Sequence, residues 1–459
     1  MSEHRATLCN LQRLGPINPP PTLYLPTVSC YAHAEAFLLG MTGVMFASTA
    51  PRGKRSGISY ILFLMIVVNA LASSLFGPLT NDIMATCSMS LTEIGALVSA
   101  SQAAVFVSFL LQPLLSRRFG SYCMLLFGVV GGALGFLLMA CSRVAWMFSL
   151  AFLTQSLLGY FYSSGNYAVM AECDVGRRTT NIPLMHLVYS VAAIGGGAFV
   201  TWSKGATWYK GYWTAAAMYL FCFLLFLSRW SEARSNPLLM PTVKRVELKN
   251  GRPARWNPFI GFSLLKRHEF QAFFIFLICF SSIEYCATIY PVLFLELSWT
   301  ASAVMTGMAV TAYWVGSTVS RIIVMPVLKK GRDATKFLSV LTGLCAVSLG
   351  LLPIMPSLDL AVCIMPLIGF AFGALNPASQ IVEIRRWSDD MDQVANLHMI
   401  SGVIGRLVLP VVVSAIGERV GLEWGLALLA ALMVLALSSL LLSERLFSKT
   451  VLQDAATIV

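Results

Sequence analysis

The chain has 459 residues, 57% of them hydrophobic and only 12% charged, with a mean hydropathy of +0.74, where a soluble domain carries about 25% charge. That balance excludes a soluble globular enzyme. Disorder, a collagen-like repeat and a disulfide scaffold fall as well, because 34 Gly and 20 Pro show no period and 11 Cys are dilute over this length.

The first 57 residues read as a flexible tail. Pro19, Pro20 and Pro21 favour an extended stretch, and the apolar run 35–50 has only 16 residues, among them Glu35, Gly40 and Gly43. A signal peptide would place its apolar region nearer the start. A bilayer core about 30 Å thick takes roughly 20 apolar residues per helical span, and twelve runs of that kind follow. Spans 1 to 6 cover 58–81, 93–115, 121–141, 145–170, 182–202 and 211–229. Spans 7 to 12 cover 269–295, 301–328, 336–355, 359–382, 393–416 and 421–443. Runs such as Met124–Ala140 are apolar on every face, and the alternation of a barrel strand is absent, so the spans are helices. Between the two sets lies a linker, 230–268, rich in Pro and basic residues, and 444–459 forms a C-terminal tail. Cys123, Cys141, Cys222 and Cys279 sit inside apolar runs, where Cys acts as a small hydrophobe.

The net charge of +11 reports topology. With both termini on one side of twelve spans, 26 of the 32 Lys and Arg fall on that side. Four (Arg143, Lys204, Lys210, Arg419) fall on the other, and Arg321 and Arg406 lie inside spans. This bias places the termini and the linker in the cytoplasm, of an inner or plasma membrane. Nucleic acid is not implied, since the basic residues are scattered over seven segments and form no single stripe.

The two halves repeat. Pro113 matches Pro326 at an offset of 213, Asn166 and Glu172 match Asn376 and Glu383 at 210 and 211, and His186 matches His398 at 212. Three independent pairs near one offset indicate a six-plus-six pseudo-repeat: a bundle at 58–229, the linker at 230–268 and a second bundle at 269–443.

Several strings carry a resemblance. They are Phe76-Gly77-Pro78-Leu79, Leu115-Ser116-Arg117-Arg118-Phe119-Gly120, the span 5 string His186 to Ala193, Ile283-Glu284-Tyr285, the span 8 string Tyr313 to Arg321, and Gly402 to Pro410. Over about residues 58–443 the chain resembles the major facilitator superfamily, and within it the fucose–proton symporters and related sugar-transporter-like proteins. The resemblance implies an all-α membrane fold of twelve helices in two pseudo-symmetric six-helix bundles, and transport by alternating access. Three departures from the pattern involve four positions. Arg117 stands where the loop motif usually has Asp, Asn69 and Asn166 stand where those symporters carry acids in spans 1 and 4, and Arg406 replaces a small residue in span 11.

Ionisable residues at mid-membrane cost about 2.5–3.5 kcal/mol each on insertion scales and are usually functional. Glu284, near the middle of span 7, is the candidate proton-coupling carboxylate, although a structural hydrogen bond to a neighbouring helix is the plainer reading. His186 and His398 stand one turn into spans 5 and 11; each carries a proton or simply donates a packing hydrogen bond. Arg321 fits gating, structure or substrate contact. Arg406 needs a partner, either Glu284 or an anionic substrate. Arg117 and Arg118 with Glu172, and Lys329 and Lys330 with Glu383, form candidate gate ion pairs, His398 joining that gate set.

Amides and aromatics suited to a sugar's hydroxyls and ring face recur at Asn69, Gln102, Gln155, Tyr160, Asn166, Tyr189, Tyr285, Tyr290, Tyr313, Trp314, Asn376 and Gln380. Helix packing or an interfacial belt explains any one of them equally well. No second His or Cys stands at metal-ligand spacing with His186 or His398 and no nucleotide or nucleophile motif occurs, so neither a metal, a cofactor nor an enzyme is expected.

The reading is a monomeric, lipid-embedded secondary transporter moving a small polar solute, best a sugar or related metabolite, with a proton. The alternatives are an organic-anion carrier or exporter, and a non-transporting sensor or scaffold using the basic linker. The charge bias makes one direct prediction: a protease site inserted in the 230–268 linker is cut only from the cytoplasmic face, and cleavage from outside would overturn the topology.

Overall fold

Hydrocarbon offers no hydrogen-bond partner to a bare backbone, so an apolar run of span length satisfies its amides by coiling on itself. The computed structural model describes residues 55–240, 248–249, 252–253, 262–329 and 333–458, and within them every expected span is helical. The expected N-terminal tail lies almost wholly outside the described residues, as do 241–247, 250–251 and 254–261 of the linker. Among the described residues the strand content is one two-residue pairing, Leu248–Lys249 with Arg252–Pro253. Among them, too, nine helices are long and apolar enough to cross a membrane, and Gly57–Ser73 with Phe76–Cys87, bent by 46°, makes a tenth. Ala145–Cys173 and Ala303–Lys329 supply spans 4 and 8 with 29 and 27 residues and a more polar make-up. The protein is thus an all-helical, multi-spanning membrane protein. Large apolar side chains such as Leu150, Phe221, Val340 and Val408 are exposed on its outside, as a lipid-facing surface requires.

Several spans are broken rather than continuous. Span 1 divides at Ser74-Leu75, span 5 at Gly195, span 7 at Thr288-Ile289 and span 10 at Ala374. In three of them a proline sits in the first turn of the second segment: Pro78 after the span 1 break, Pro291 in span 7 and Pro377 in span 10. Proline lacks an N–H and is tolerated where a helix begins, so it sets a new start inside an apolar run. Span 12 runs on as one helix, Leu422–Ile458, through the residues expected to form the tail.

Within the first bundle, glycines let spans 3 and 4 approach closely. Gly128 lies against the backbone of Phe161 and Tyr162, and Gly135 against Gln155. Tyrosine hydroxyls bind the outer helices to carbonyls and amides: Tyr122 donates to the Phe226 carbonyl at 2.6 Å and Tyr219 to Asn69 Oδ1 at 2.7 Å. In the second bundle Gly316, Gly369 and Gly373 bring spans 8 and 10 together, backbone on backbone.

The bundles meet at the end opposite the basic linker. Gly95 of span 2 rests on the Pro410 carbonyl and Ser414 of span 11, and the Thr92 amide donates to Glu418 at 2.7 Å. Gly197 and Thr201 of span 5 pack on Gly307 and Thr311 of span 8, with Thr201 donating to the Ala303 carbonyl at 3.2 Å and Thr311 to the Ile194 carbonyl at 3.0 Å. Gly77 of span 1 touches the Thr288 backbone of span 7. The Gly195-Gly196-Gly197 string therefore serves close packing, Gly196 lying on Ser74.

Gly128 tests the bundle itself. Gly128→Leu forces spans 3 and 4 apart against backbone that cannot yield, and overpacking of this kind costs about 1–3 kcal/mol. The purified variant should melt several degrees below the wild type; an unchanged melting temperature would refute the packing.

Candidate functional site

Burying a guanidinium or carboxylate in a helical bundle demands a partner, and the second bundle gathers its charged groups around one cavity. Its volume is about 180 Å³, and Glu284, Tyr285, Thr288, Tyr313, Trp314, Ser317, Arg321, Phe372 and Arg406 line it. The span 7 break ends just past Glu284 and Tyr285, so both side chains stand on the last turn of its first segment. Arg406 reaches across from span 11: its Nη2 lies 3.7 Å from Glu284 Oε2, its Nε donates to the Ser281 carbonyl at 3.1 Å, and its guanidinium stands over the Tyr285 ring at 5.6 Å. Of the two partners open to Arg406, the internal one is in place.

Arg321 of span 8 holds the span 10 break. Its Nε donates at 3.0 Å to the Gly373 carbonyl, a helix-end acceptor left without an intrahelical partner. Its Nη1 crosses to the first bundle, donating to Ser190 and, at 3.4 Å, to the His186 carbonyl of span 5. Glu284 is within electrostatic reach of Arg406, Arg321 and His398. The aromatic wall is continuous, with Tyr313 edge-on to Trp314 at 5.4 Å and Trp314 edge-on to Tyr189 of span 5 at 5.6 Å. The Tyr285 hydroxyl lies against Ser101 and Gln102 of span 2.

Of the residues singled out from the sequence, Glu284, Tyr285, Tyr313, Trp314, Arg321 and Arg406 thus converge, with Tyr189 and Gln102 contributed by the first bundle. The remaining amides are occupied elsewhere. Asn69 accepts from Tyr219, Asn166 is buried and donates to Tyr162 at 3.4 Å, Gln155 packs on Gly135, and Gln380 donates to Asn376 at 3.0 Å. Tyr290 is fully buried, donating to the Pro410 carbonyl at 2.7 Å.

The histidines differ in company. The ring of His186 stacks on Tyr167 at 5.2 Å with Nδ1 3.5 Å from its hydroxyl, whereas His398 Nδ1 lies 2.6 Å from Glu383 Oε1. Glu172 accepts from Ser121 at the basic end. Arg117 and Arg118 are exposed, and Arg118 lies over the Phe119 ring, away from the expected gate pairing. The side chain of Lys329 and all of Lys330 lie outside the described residues.

One charged group was missed by the sequence reading. At the opposite end Lys204, just past span 5, lies 2.8 Å from Glu296 Oε1 of span 7 and 3.4 Å from Asp82 Oδ2 of span 1, and donates to the Pro78 carbonyl at 2.8 Å. Lys204 and Glu296 side chains are only 9% and 2% exposed, so the pair is desolvated and joins the two bundles. Thr306 donates to Glu296 at 3.2 Å. The signal was available: one base and two acids stand at the opposite-side ends of spans 1, 5 and 7, of which only Lys204 was counted, toward topology.

A family model described as Major Facilitator Superfamily matches residues 62–396. Two solved structures of similar fold are crystal structures of the nucleoside transporter NupG. One, of a single-residue mutant, has TM-score 0.67 and 16% identity, covering 84% of this chain and 99% of that one. The other has TM-score 0.65 and 16% identity over 84% and 98%. No curated protein matches the chain.

Removing the base from a buried pair strands the acid, at a cost of about 3–5 kcal/mol to the closed arrangement. Lys204→Met should therefore open the opposite end, raising labelling of a cysteine placed at Thr311, and Glu296→Gln added to it should restore most of the protection. Unchanged labelling in Lys204→Met would remove Lys204 from the closure.

Proposed function

Because the chain belongs to the major facilitator superfamily and is a secondary transporter of small solutes, not an enzyme, we propose that it carries a small polar, ring-bearing solute, a sugar or related metabolite, coupled to protons through Glu284. The observation that carries this reading is the pairing of Glu284 with Arg406 inside an aromatic-walled cavity. The pair balances its own charge, which leaves the cavity suited to a neutral solute stacked on Trp314 or Tyr313. A carboxylate whose one close cation is held at 3.7 Å can release that cation on protonation, so proton loading alters the cavity wall directly. The name of the NupG relatives adds nucleosides, whose ribose offers the same hydroxyl chemistry, to the candidates.

The conformation supports alternating access. The opposite end is sealed by the glycine contacts and the Lys204–Glu296 pair, while nearer the basic end Arg321 bridges the bundles through Ser190 and the His186 carbonyl, so the two ends are held by different groups, as alternate opening requires. The gate charges Arg117 and Arg118, exposed here, then engage Glu172 when the basic end closes. One observation favours a second reading: the hydrogen-bond acceptors of Arg321, which also faces the cavity, are the Gly373 and His186 carbonyls and Ser190, all neutral. A carboxylate or phosphate on the cargo would complete it, as in an organic-anion carrier.

The test is transport in proteoliposomes with a panel of neutral sugars, nucleosides and organic anions. Glu284→Gln should lower proton-driven accumulation at least about tenfold while exchange across the membrane persists, because Gln hydrogen-bonds but does not titrate. Uphill accumulation surviving in that variant would refute coupling at Glu284, and uptake confined to anions would establish the second reading.

A further inference from the structure

The pseudo-repeat brings His186 and His398 to equivalent places, yet the structure equips them differently. His186 stacks on Tyr167, a phenol that ordinarily stays protonated near neutral pH. His398 meets Glu383, a carboxylate on span 10, at 2.6 Å, with both side chains largely buried at 14% and 4% exposed. Such a pair is expensive to embed in a membrane unless it is used.

Three charged groups act on the His398 ring: Glu383 from span 10, Glu284 from span 7 and Arg406 from span 11 itself. Spans 2 and 12 also pack on span 11. The former carries Arg117 and Arg118, exposed at its basic end, and the latter carries Glu444, which is held by Arg386. His398 lies two helical turns from Arg406 along span 11, toward the basic end, so it stands between the cavity and that end.

We propose that His398 and Glu383 form a second proton site, which takes the proton from Glu284 and releases it to water at the basic end. The inference rests on Glu284 as the proton-loading group. The step balances: the Glu284 O–H bond breaks and an N–H bond forms on neutral His398. The electron pair left on Glu284 becomes the carboxylate charge that pairs with Arg406, while the imidazolium pairs with Glu383. One proton moved thus yields two ion pairs, so neither charge is left unpartnered in the membrane. Loss of that N–H proton to water on the basic side resets the pair.

Time-resolved infrared spectroscopy of the protein in liposomes after an alkaline pH jump reads this without any solute. The Glu284 carboxyl band is identified by its absence in Glu284→Gln. In the wild type its decay should coincide with a transient imidazolium band that is missing in His398→Gln. The carboxyl decay should slow about tenfold in His398→Gln and in Glu383→Gln, with Glu383→Asp, which keeps a carboxylate, near the wild-type rate. Wild-type decay rates in both His398→Gln and Glu383→Gln overturn the second site while leaving Glu284 as the loading group. The absence of any carboxyl band assignable to Glu284 in the wild type overturns the reading on which it rests.

Discussion

A charge inside a bilayer must be answered by another charge or by a full set of hydrogen bonds, and the second bundle is organised around that requirement. Glu284, Arg321, Arg406, His398 and Glu383 come from spans 7, 8, 10 and 11. Each finds its own answer: Arg406 pairs with Glu284, His398 with Glu383, and Arg321 bonds the broken end of span 10. The first bundle answers the same need with neutral groups. Asn69 of span 1 is held by Tyr219 of span 6, and Asn166 bonds Tyr162 one turn back on its own helix. The halves are alike in path and unlike in electrostatics, with neutral groups prevailing inside the first and charged ones inside the second.

The contact between them follows from the same economy. Where spans 5 and 8 cross, glycine on each side lets backbones touch, and threonine hydroxyls satisfy the carbonyls they meet. Such a surface has little side-chain interlock and separates without leaving apolar knobs exposed. The strong element is the single buried pair of Lys204 with Glu296, backed by Asp82 and Thr306. A seal made of small residues and one ion pair is closed firmly by a few groups and opened by disturbing any of them, which is what rocking of one bundle on the other demands. Arg321 ties this movement to the cavity, because it touches the aromatic wall, the span 10 break and span 5 of the other bundle at once.

The broken spans put the cavity where it is. Pro78, Pro291 and Pro377 restart helices two or three residues after each break, and carbonyls such as that of Gly373 are thereby released to side chains. Pro78 and Pro291 are 213 residues apart, on the same offset as the repeat itself, so this device belongs to both halves. The prolines were visible in the apolar runs, but a count of apolar residues treats a kinked span and a straight one alike.

Residue chemistry and period determined the helical membrane fold, the number of spans, the doubling of the chain and the scarcity value of Glu284 and Arg406, because an ion in hydrocarbon is costly at whatever position it stands. Tertiary structure decided which faces met. Gln155, Asn376 and Gln380 sit at span positions no less central than Gln102, yet Gln155 turns to span 3 and Asn376 and Gln380 bond each other along span 10, since a helix apolar all round carries no period that points to the cavity. The Lys204–Glu296 pair was hidden for a related reason: its members are 92 residues apart and belong to different bundles. Only the docking of the two halves brings them within 2.8 Å, and sequence spacing holds no record of that distance.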